Sequence, residues 1–501
     1  MQKYTKKCYL RAVIEKNYII MNLNDLTPQR VWQQFESILK VPRPSKHEEK
    51  MVDFLVEFAQ KRNLEYYVDD TKNVIIYKPA TETMKDKQSV CLQAHIDMVC
   101  DKEADKQHDF LTDPITPIVA GDWLKADKTT LGADDGIGVA AMLAILDSDD
   151  IPHGPIECLF TVDEETGLTG AFGLQPNVLK SKVLLNLDSE DDGQIFIGCA
   201  GGIDTIGDIP IIFIASKPNT VAYKLSVGGL LGGHSGDDIN KGRGNAIKLL
   251  NRFISDYSKI YDIQLADFQG GNLRNAIARS AFAVVTISQC NETDFLKSVQ
   301  EYDRIFKSEL EKTDKDVFFE VEKTDMPGKV LNDDCFRKLT QLIYSMPHGV
   351  LGMSFKLKGI VETSTNLASV NLKDDNVHVV TSQRSDSESL KYYASQMVEN
   401  CLLLVGANVE HSDGYPGWTP NPDSHVLKVA LDVYKDLFNE DAIFCSIHAG
   451  LECGLFSTKY PEMDMISYGP TLRDVHTPEE RILIPTVDKF WKMTLEILKR
   501  I

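Results

Sequence analysis

Three apolar runs in this chain end alike. Val90-Cys-Leu92 leads through Gln-Ala to His95-Ile-Asp97, Ile156-Glu-Cys-Leu-Phe-Thr-Val162 leads to Asp163-Glu164-Glu165, and Val183-Leu-Leu-Asn-Leu187 leads to Asp188. Short apolar runs with polar ends read as interior strands. In open α/β sheets the ligand crevice lies beyond the carboxyl ends of the strands, so acids and a histidine at three such ends converge on one place. His95 and Asp97, two apart, face the same side of an extended segment. That pairing lets the carboxylate fix the imidazole tautomer while the other ring nitrogen binds a metal. Asp134 adds an acid in the glycine-flanked turn Gly132-Ala-Asp134-Asp135-Gly136, ahead of a helix expected over Val139 to Leu146. His476 adds a late histidine in Asp474-Val-His476-Thr-Pro-Glu-Glu480. Taken singly, each reads as an ion pair, a cap or a solvated loop. Taken together they define a candidate metal centre.

The surrounding pattern fixes the fold class. Amphipathic helices are expected at Val31 to Leu39 and His47 to Arg62, the second with Ser45 as N-cap. Strands follow at Glu65 to Val68 and Val74 to Tyr77, so the first domain is α/β, a mixed sheet flanked by helices. From about Asp208 to Gly414 the texture changes to strand, helix, strand, strand, helix, twice over. This predicts an inserted α+β domain, with two related halves as one reading of the repeat, although no sequence repeat proves duplication. The α/β pattern then resumes. The expected organisation is a disordered extension over 1–20 with a natural start at Met21, a catalytic domain over 21–207 and 415–501, and a lid domain over 208–414.

Composition excludes several partners. The chain has 501 residues, 43% of them hydrophobic, and a formal net charge of -20. Nucleic acid and anionic membrane both need a basic surface, which this balance denies. No apolar span of about 20 residues, the length a transmembrane helix requires, is present. The 10 cysteines form no CxxC pair, which argues against a disulfide framework and for a reducing cytoplasm. A small-molecule substrate is the plain expectation.

The order His-x-Asp, Gly-Ala-Asp-Asp-Gly, Glu-Glu, Asp and late His resembles that of the co-catalytic zinc exopeptidases. Leu92-Gln-Ala-His-Ile-Asp-Met98, Gly198-Cys-Ala-Gly-Gly-Ile-Asp204, Gly232-Gly-His-Ser-Gly236, Tyr415-Pro-Gly-Trp418 and His448-Ala-Gly-Leu-Glu-Cys-Gly-Leu-Phe456 are similar to motifs of the bacterial Xaa-His dipeptidases within that family. The resemblance runs from about Met21 to the C-terminus. It implies a metallo-dipeptidase that cleaves dipeptides with a free N-terminus, Xaa-His among them. Two Zn²⁺ ions are implied, with Mn²⁺ or Co²⁺ as substitutes. Asp134 would bridge them, His95 and Asp188 would complete one site, and Glu165 and His476 the other. Glu164 would be the general base for a water held between the metals, and Asp97 would orient His95. His234 in the lid would stabilise the oxyanion, and Asn275 and Arg384 would hold the substrate. Many relatives carry an Arg-Gly-Gly-Thr-type loop where this chain has His448 to Glu452. His448 and Glu452 are therefore expected to make substrate contacts of their own. A cis peptide is implied at Asp134-Asp135. The resemblance leaves a homodimer open.

Three other readings compete. An N-acyl amino acid deacylase would use the same metal site. A non-catalytic metal- or peptide-binding protein would not require Glu164 and Asp97. A serine hydrolase is suggested by Gly233-His-Ser235-Gly, but Asp237 stands where a nucleophile elbow needs its last glycine.

Overall fold

In the computed structural model, which describes residues 23–501, all three apolar runs are strands. Val90–His95 lies between Ile156–Thr161 and Val183–Asn186, parallel to both, with His95 opposite Thr161 and Gln93 opposite Asn186. Asp464–Ser467 extends the parallel part beyond Val183–Asn186. Val74–Lys78 and Glu65–Val68 add an antiparallel edge, and Gln194–Cys199 and Ile443–Ile447 complete eight strands. Every residue of the three runs is buried, as expected where both faces of a sheet are covered. Three of their polar members bond one another: Asn186 Nδ2 donates to Gln93 Oε1 at 2.6 Å, and Gln93 Nε2 to Thr161 Oγ1 at 3.1 Å, while Asn186 Oδ1 is buried without a partner.

The helix Ala133–Leu146 is buried at every position but Asp134. A helix apolar all round belongs inside, and this one packs on Val90–His95. Its start is not helical. Asp134 and Asp135 leave helical φ/ψ, and the peptide bond between them is cis, as the resemblance implied. Gly132 before them has φ +68°, and a Cβ there would stand 2.6 Å from Arg43 Nη2, so only glycine fits. The helix expected from His47 is Glu49–Lys61, with Glu48 at its N-cap. Ser45 is not its cap. It sits too far upstream, and its hydroxyl donates to Asp97 Oδ2 at 2.8 Å instead.

The chain divides into two compact units. The first holds the described residues up to Ile197, with Asn421–Cys445 and Leu455–Ile501; the second holds Gly198–Pro420 and Ser446–Gly454. The reading of 1–20 as an extension lies outside the described residues. Within the second unit, short backbone bonds tie the segments flanking 208–414 to each other: Cys199 N–H to Trp418 O, Tyr415 N–H to Gly202 O and Ala200 N–H to Ile447 O.

The second unit is a nine-stranded antiparallel sheet with helices. Thr220–Gly228, Gln264–Gly270, Ala281–Ser288 and Phe318–Thr324 are neighbours in the order fourth, first, third, second. Ala246–Tyr257 connects the first two, and Glu292–Glu309 the last two. Gly201–Pro210, Val361–Leu372, Asn376–Ser385 and Asn408–His411 follow as second, third, first, fourth, with Asp333–Ser345 and Glu388–Leu404 in the corresponding connections. The two halves thus share one topology and meet through their second strands, at Gln269↔Asn371 and Gly270↔Val370. The first half is inserted after the opening strand of the second. One apolar core serves both, from Leu225 and Phe253 to Leu367, Val379 and Leu402.

Phe253 is fully buried, with ring centroids of Tyr257, Phe295, Tyr302 and Phe319 within 4.9–5.8 Å. Phe253→Ala is expected to destabilise the second unit by about 3–5 kcal/mol. The check is the shift in its urea midpoint.

Candidate metal centre

Asp134 is the centre of the cluster in the first unit. Its Oδ1 lies 3.1 Å from His95 Nε2, and its Oδ2 lies 3.1 Å from His476 Nε2. His95 Nε2 is also 3.4 Å from Asp188 Oδ1, and His476 Nε2 is 2.9 Å from Glu165 Oε2. The five side chains therefore fall into two sets sharing one carboxylate: His95, Asp188 and Asp134 Oδ1; His476, Glu165 and Asp134 Oδ2. Ligand atoms about 2.0–2.2 Å from a tetrahedral ion stand roughly 3.3–3.6 Å from one another, close to these separations. Atoms of His95, Asp134 and Glu165 also lie within 4.8 Å of one another, as a common ion would need. Glu165 Oε1 is buried with no hydrogen-bond partner. Two imidazoles and three carboxylates form a nitrogen and oxygen donor set suited to zinc, manganese or cobalt.

The charges suit a cation. Burial, the nearby Asp134 and opposing His95 leave the Asp188 carboxyl pushed up to about 7, and burial raises Glu165. Burial alone would lower both histidines. Asp188, Asp134 and Asp97 instead hold His95 well above its usual value, and Asp134 with Glu165 raises His476 to about 11. Asp134 is held below the carboxylate range despite its burial, because both imidazoles face it. Divalent ions would take over this neutralising role from the imidazolium protons.

Asp97 ties the first pieces together. It is 0% exposed, and its Oδ1 lies 3.3 Å from His95 Nδ1. Its two oxygens also accept the backbone N–H groups of Glu164 at 3.0 Å and Glu165 at 3.2 Å. One carboxylate thus orients His95 and caps the short helix Glu164–Gly167. Glu164 is half-buried beside its neighbour Glu165 in the second set.

Sequence reasoning missed two residues that hold the centre. Arg43, 2% exposed, donates through Nη1 to Ile96 O at 2.9 Å and Asp97 O at 2.8 Å, and through Nη2 to Gly132 O. Glu480, also 2% exposed, accepts the N–H groups of Leu131, Gly132, Ala133 and Asp134 at 2.7–3.3 Å. The only hint for Arg43 is its place between Pro42 and Pro44. Nothing in the sequence separates Glu480 from the exposed Glu479 beside it.

The other expected site residues lie in the second unit. Arg384 Nη1 donates to Tyr415 Oη at 2.8 Å and Nε to Ser235 Oγ at 3.2 Å, and Nη2 lies 3.4 Å from His234 Nε2. His234 Nδ1 accepts from the N–H groups of Gly236 and Asp237, both at 3.3 Å. His448 Nε2 and Ser364 Oγ are 2.7 Å apart, and burial pushes His448 down to about 3, so it is neutral. Asn275 is exposed, and its backbone carbonyl accepts from Ser235 N–H at 2.8 Å. Glu452 is buried at the start of Glu452–Lys459. Ser235 is 1% exposed, its hydroxyl accepts from Arg384, and the segment around it is a turn rather than a strand-turn-helix elbow.

Residues 91–500 match peptidase family M20/M25/M40, and the chain belongs to that family. It is 42% identical over 480 residues to the cytosol non-specific dipeptidase of Escherichia coli K12, covering 96% of this chain and 99% of that one. Among solved structures it is similar to the aminoacylhistidine dipeptidase of Vibrio alginolyticus, with TM-score 0.89 and 41% identity, covering 96% and 98% of the two chains. Aminopeptidase PepT of Bacillus cereus, at 17% identity and TM-score 0.56 over 95% and 98%, shares the fold. No helix among the described residues is long and apolar enough to cross a membrane.

Asp97→Asn keeps one acceptor and turns an amide N–H toward the helix N–H groups it now caps. Metal affinity is expected to fall about 10–100-fold. A competition titration against a chromophoric chelator measures it; unchanged affinity would reduce Asp97 to a helix cap.

Proposed function

We propose that this chain is a metal-dependent dipeptidase acting on dipeptides with a free N-terminus, Xaa-His included. The observation that carries the reading is the Asp134 carboxylate with one imidazole on each oxygen, 3.1 Å away on both sides. His95, Asp134 and Asp188 would hold one divalent ion, and Asp134, Glu165 and His476 a second, with zinc our assignment. Such ions polarise a scissile carbonyl and lower the pKa of water. The names of the Escherichia coli and Vibrio alginolyticus relatives support both the substrate class and a cytosolic location.

The chain's own groups do the proton work. Glu164, whose backbone N–H is held by Asp97 next to Glu165 of the cluster, takes a proton from the attacking water. It returns that proton to the amide nitrogen as the C–N bond breaks, which frees the amine and restores the carboxylate. Asp97 keeps His95 Nε2 turned to the cluster. In the second unit Arg384 Nη2, which can only donate, lies 3.4 Å from His234 Nε2, and Asp237 Oδ2 lies 3.4 Å from His234 Nδ1. We assign these two neighbouring side chains, Arg384 and His234, to an oxyanion or a substrate carboxylate. We assign Asn275, His448 and Glu452 to substrate binding with them. An N-acyl amino acid deacylase would use the same cluster but prefer blocked amino groups.

The test is release of histidine from an Xaa-His dipeptide, with and without chelator, and from its N-acetyl form. Chelator-sensitive cleavage of the free dipeptide alone is expected; preference for the acetylated form would make the deacylase reading right. Glu164→Ala should lower kcat by at least about 10²–10⁴-fold with two metals per chain still bound. Loss of a metal in that variant would recast Glu164 as a ligand.

A further inference from the structure

Resting on the two-metal reading above, we infer that Glu480 is a positioning residue for the metal pair, coupling the bridging carboxylate to the Glu165/His476 position. Four consecutive backbone N–H groups, from Leu131 to Asp134, end on its two oxygens. Glu480 is also the last residue of the turn that presents His476: its own N–H donates to Thr477 O at 3.0 Å. One buried carboxylate therefore sets the backbone of the bridging ligand and the loop of a terminal ligand. His476 has weaker fixings of its own. Its side chain is 48% exposed and its φ is +62°, in the left-handed region that a β-carbon disfavours.

The other position is fixed independently. His95 is 1% exposed, ends a central strand, and has Asp97 on its Nδ1. Asp188 follows the strand Val183–Asn186, and Ser189 beside it is fastened to Ser467 by a 2.6 Å hydroxyl pair. Arg43 grips the Gly132 carbonyl from the Asp97 side, so the turn keeps that attachment when Glu480 is changed. Loss of Glu480 should then loosen the two positions unequally, and this asymmetry distinguishes a positioning role from general support of the fold.

The experiment is a Co²⁺ titration of Glu480→Gln, followed by visible absorption, beside the wild type, His476→Ala and His95→Ala. Glutamine keeps the volume but offers one acceptor and an opposing donor to the four N–H groups. The wild type is expected to take two Co²⁺. Glu480→Gln should hold the first nearly as well, bind the second about 10–100-fold more weakly, and show the spectral change of His476→Ala rather than that of His95→Ala. If circular dichroism shows that Glu480→Gln does not fold, Glu480→Asp, which keeps the charge on a shorter stem, should show the same asymmetry in smaller degree. Equal weakening of both positions overturns the inference. So does a lower melting temperature with both affinities and the spectrum unchanged. A wild type that binds fewer than two Co²⁺ defeats the two-metal reading itself.

Discussion

Three carboxylates packed around two imidazoles repel one another, and much of the first unit is arranged to hold them together despite that. Asp134 stays charged only because His95 and His476 face its two oxygens; Asp188 and Glu165, less favoured, are pushed toward protonation. Such a cluster is unfavourable in a protein by itself and becomes favourable around divalent cations. The scaffold opposes the repulsion mechanically. Arg43 holds the carbonyl side of the Gly132 turn and Glu480 its N–H side, so the bridging residue cannot swing away from its neighbours.

The parallel strands explain why so few residues can do this. Val90–His95, Ile156–Thr161 and Val183–Asn186 run the same way, so their polar continuations leave the sheet at one edge. Asp97 then bonds the loop after one strand to the loop after another. The bonded pair Gln93 and Asn186 fills the positions beneath, joining two of the strands side chain to side chain.

Part of this was legible in the sequence because polar residues at strand ends interrupt apolar runs, a pattern that local composition reveals. His95, Glu165 and Asp188 stood out that way, Asp134 by its glycine-flanked turn and His476 only as a late histidine, and the strands and most helices fell within a few residues of their observed ends. Ser45 was misread because a serine ahead of an amphipathic run has the signature of a cap, whereas its actual partner, Asp97, is remote in sequence. Arg43 and Glu480 were invisible for the same reason: their partners are backbone groups far along the chain, and backbone groups leave no trace in residue identity. The repeat in the second unit could be suspected from element order, but the pairing that joins its halves lies in register, which only the structure supplies.

The nesting of one half of the second unit inside the other has a consequence during synthesis. Gly201–Pro210 pairs with Asn376–Ser385 and Asn408–His411, and both come after the whole first half. At about 5–20 residues per second, on the order of ten seconds or more separates the strand from its partners. In that interval the first half, whose strands are all close in sequence, can pair its own strands while Gly201–Pro210 keeps open edges. The nascent chain is then most exposed to wrong strand pairing at this segment, and a chaperone that shields an extended edge would serve it there.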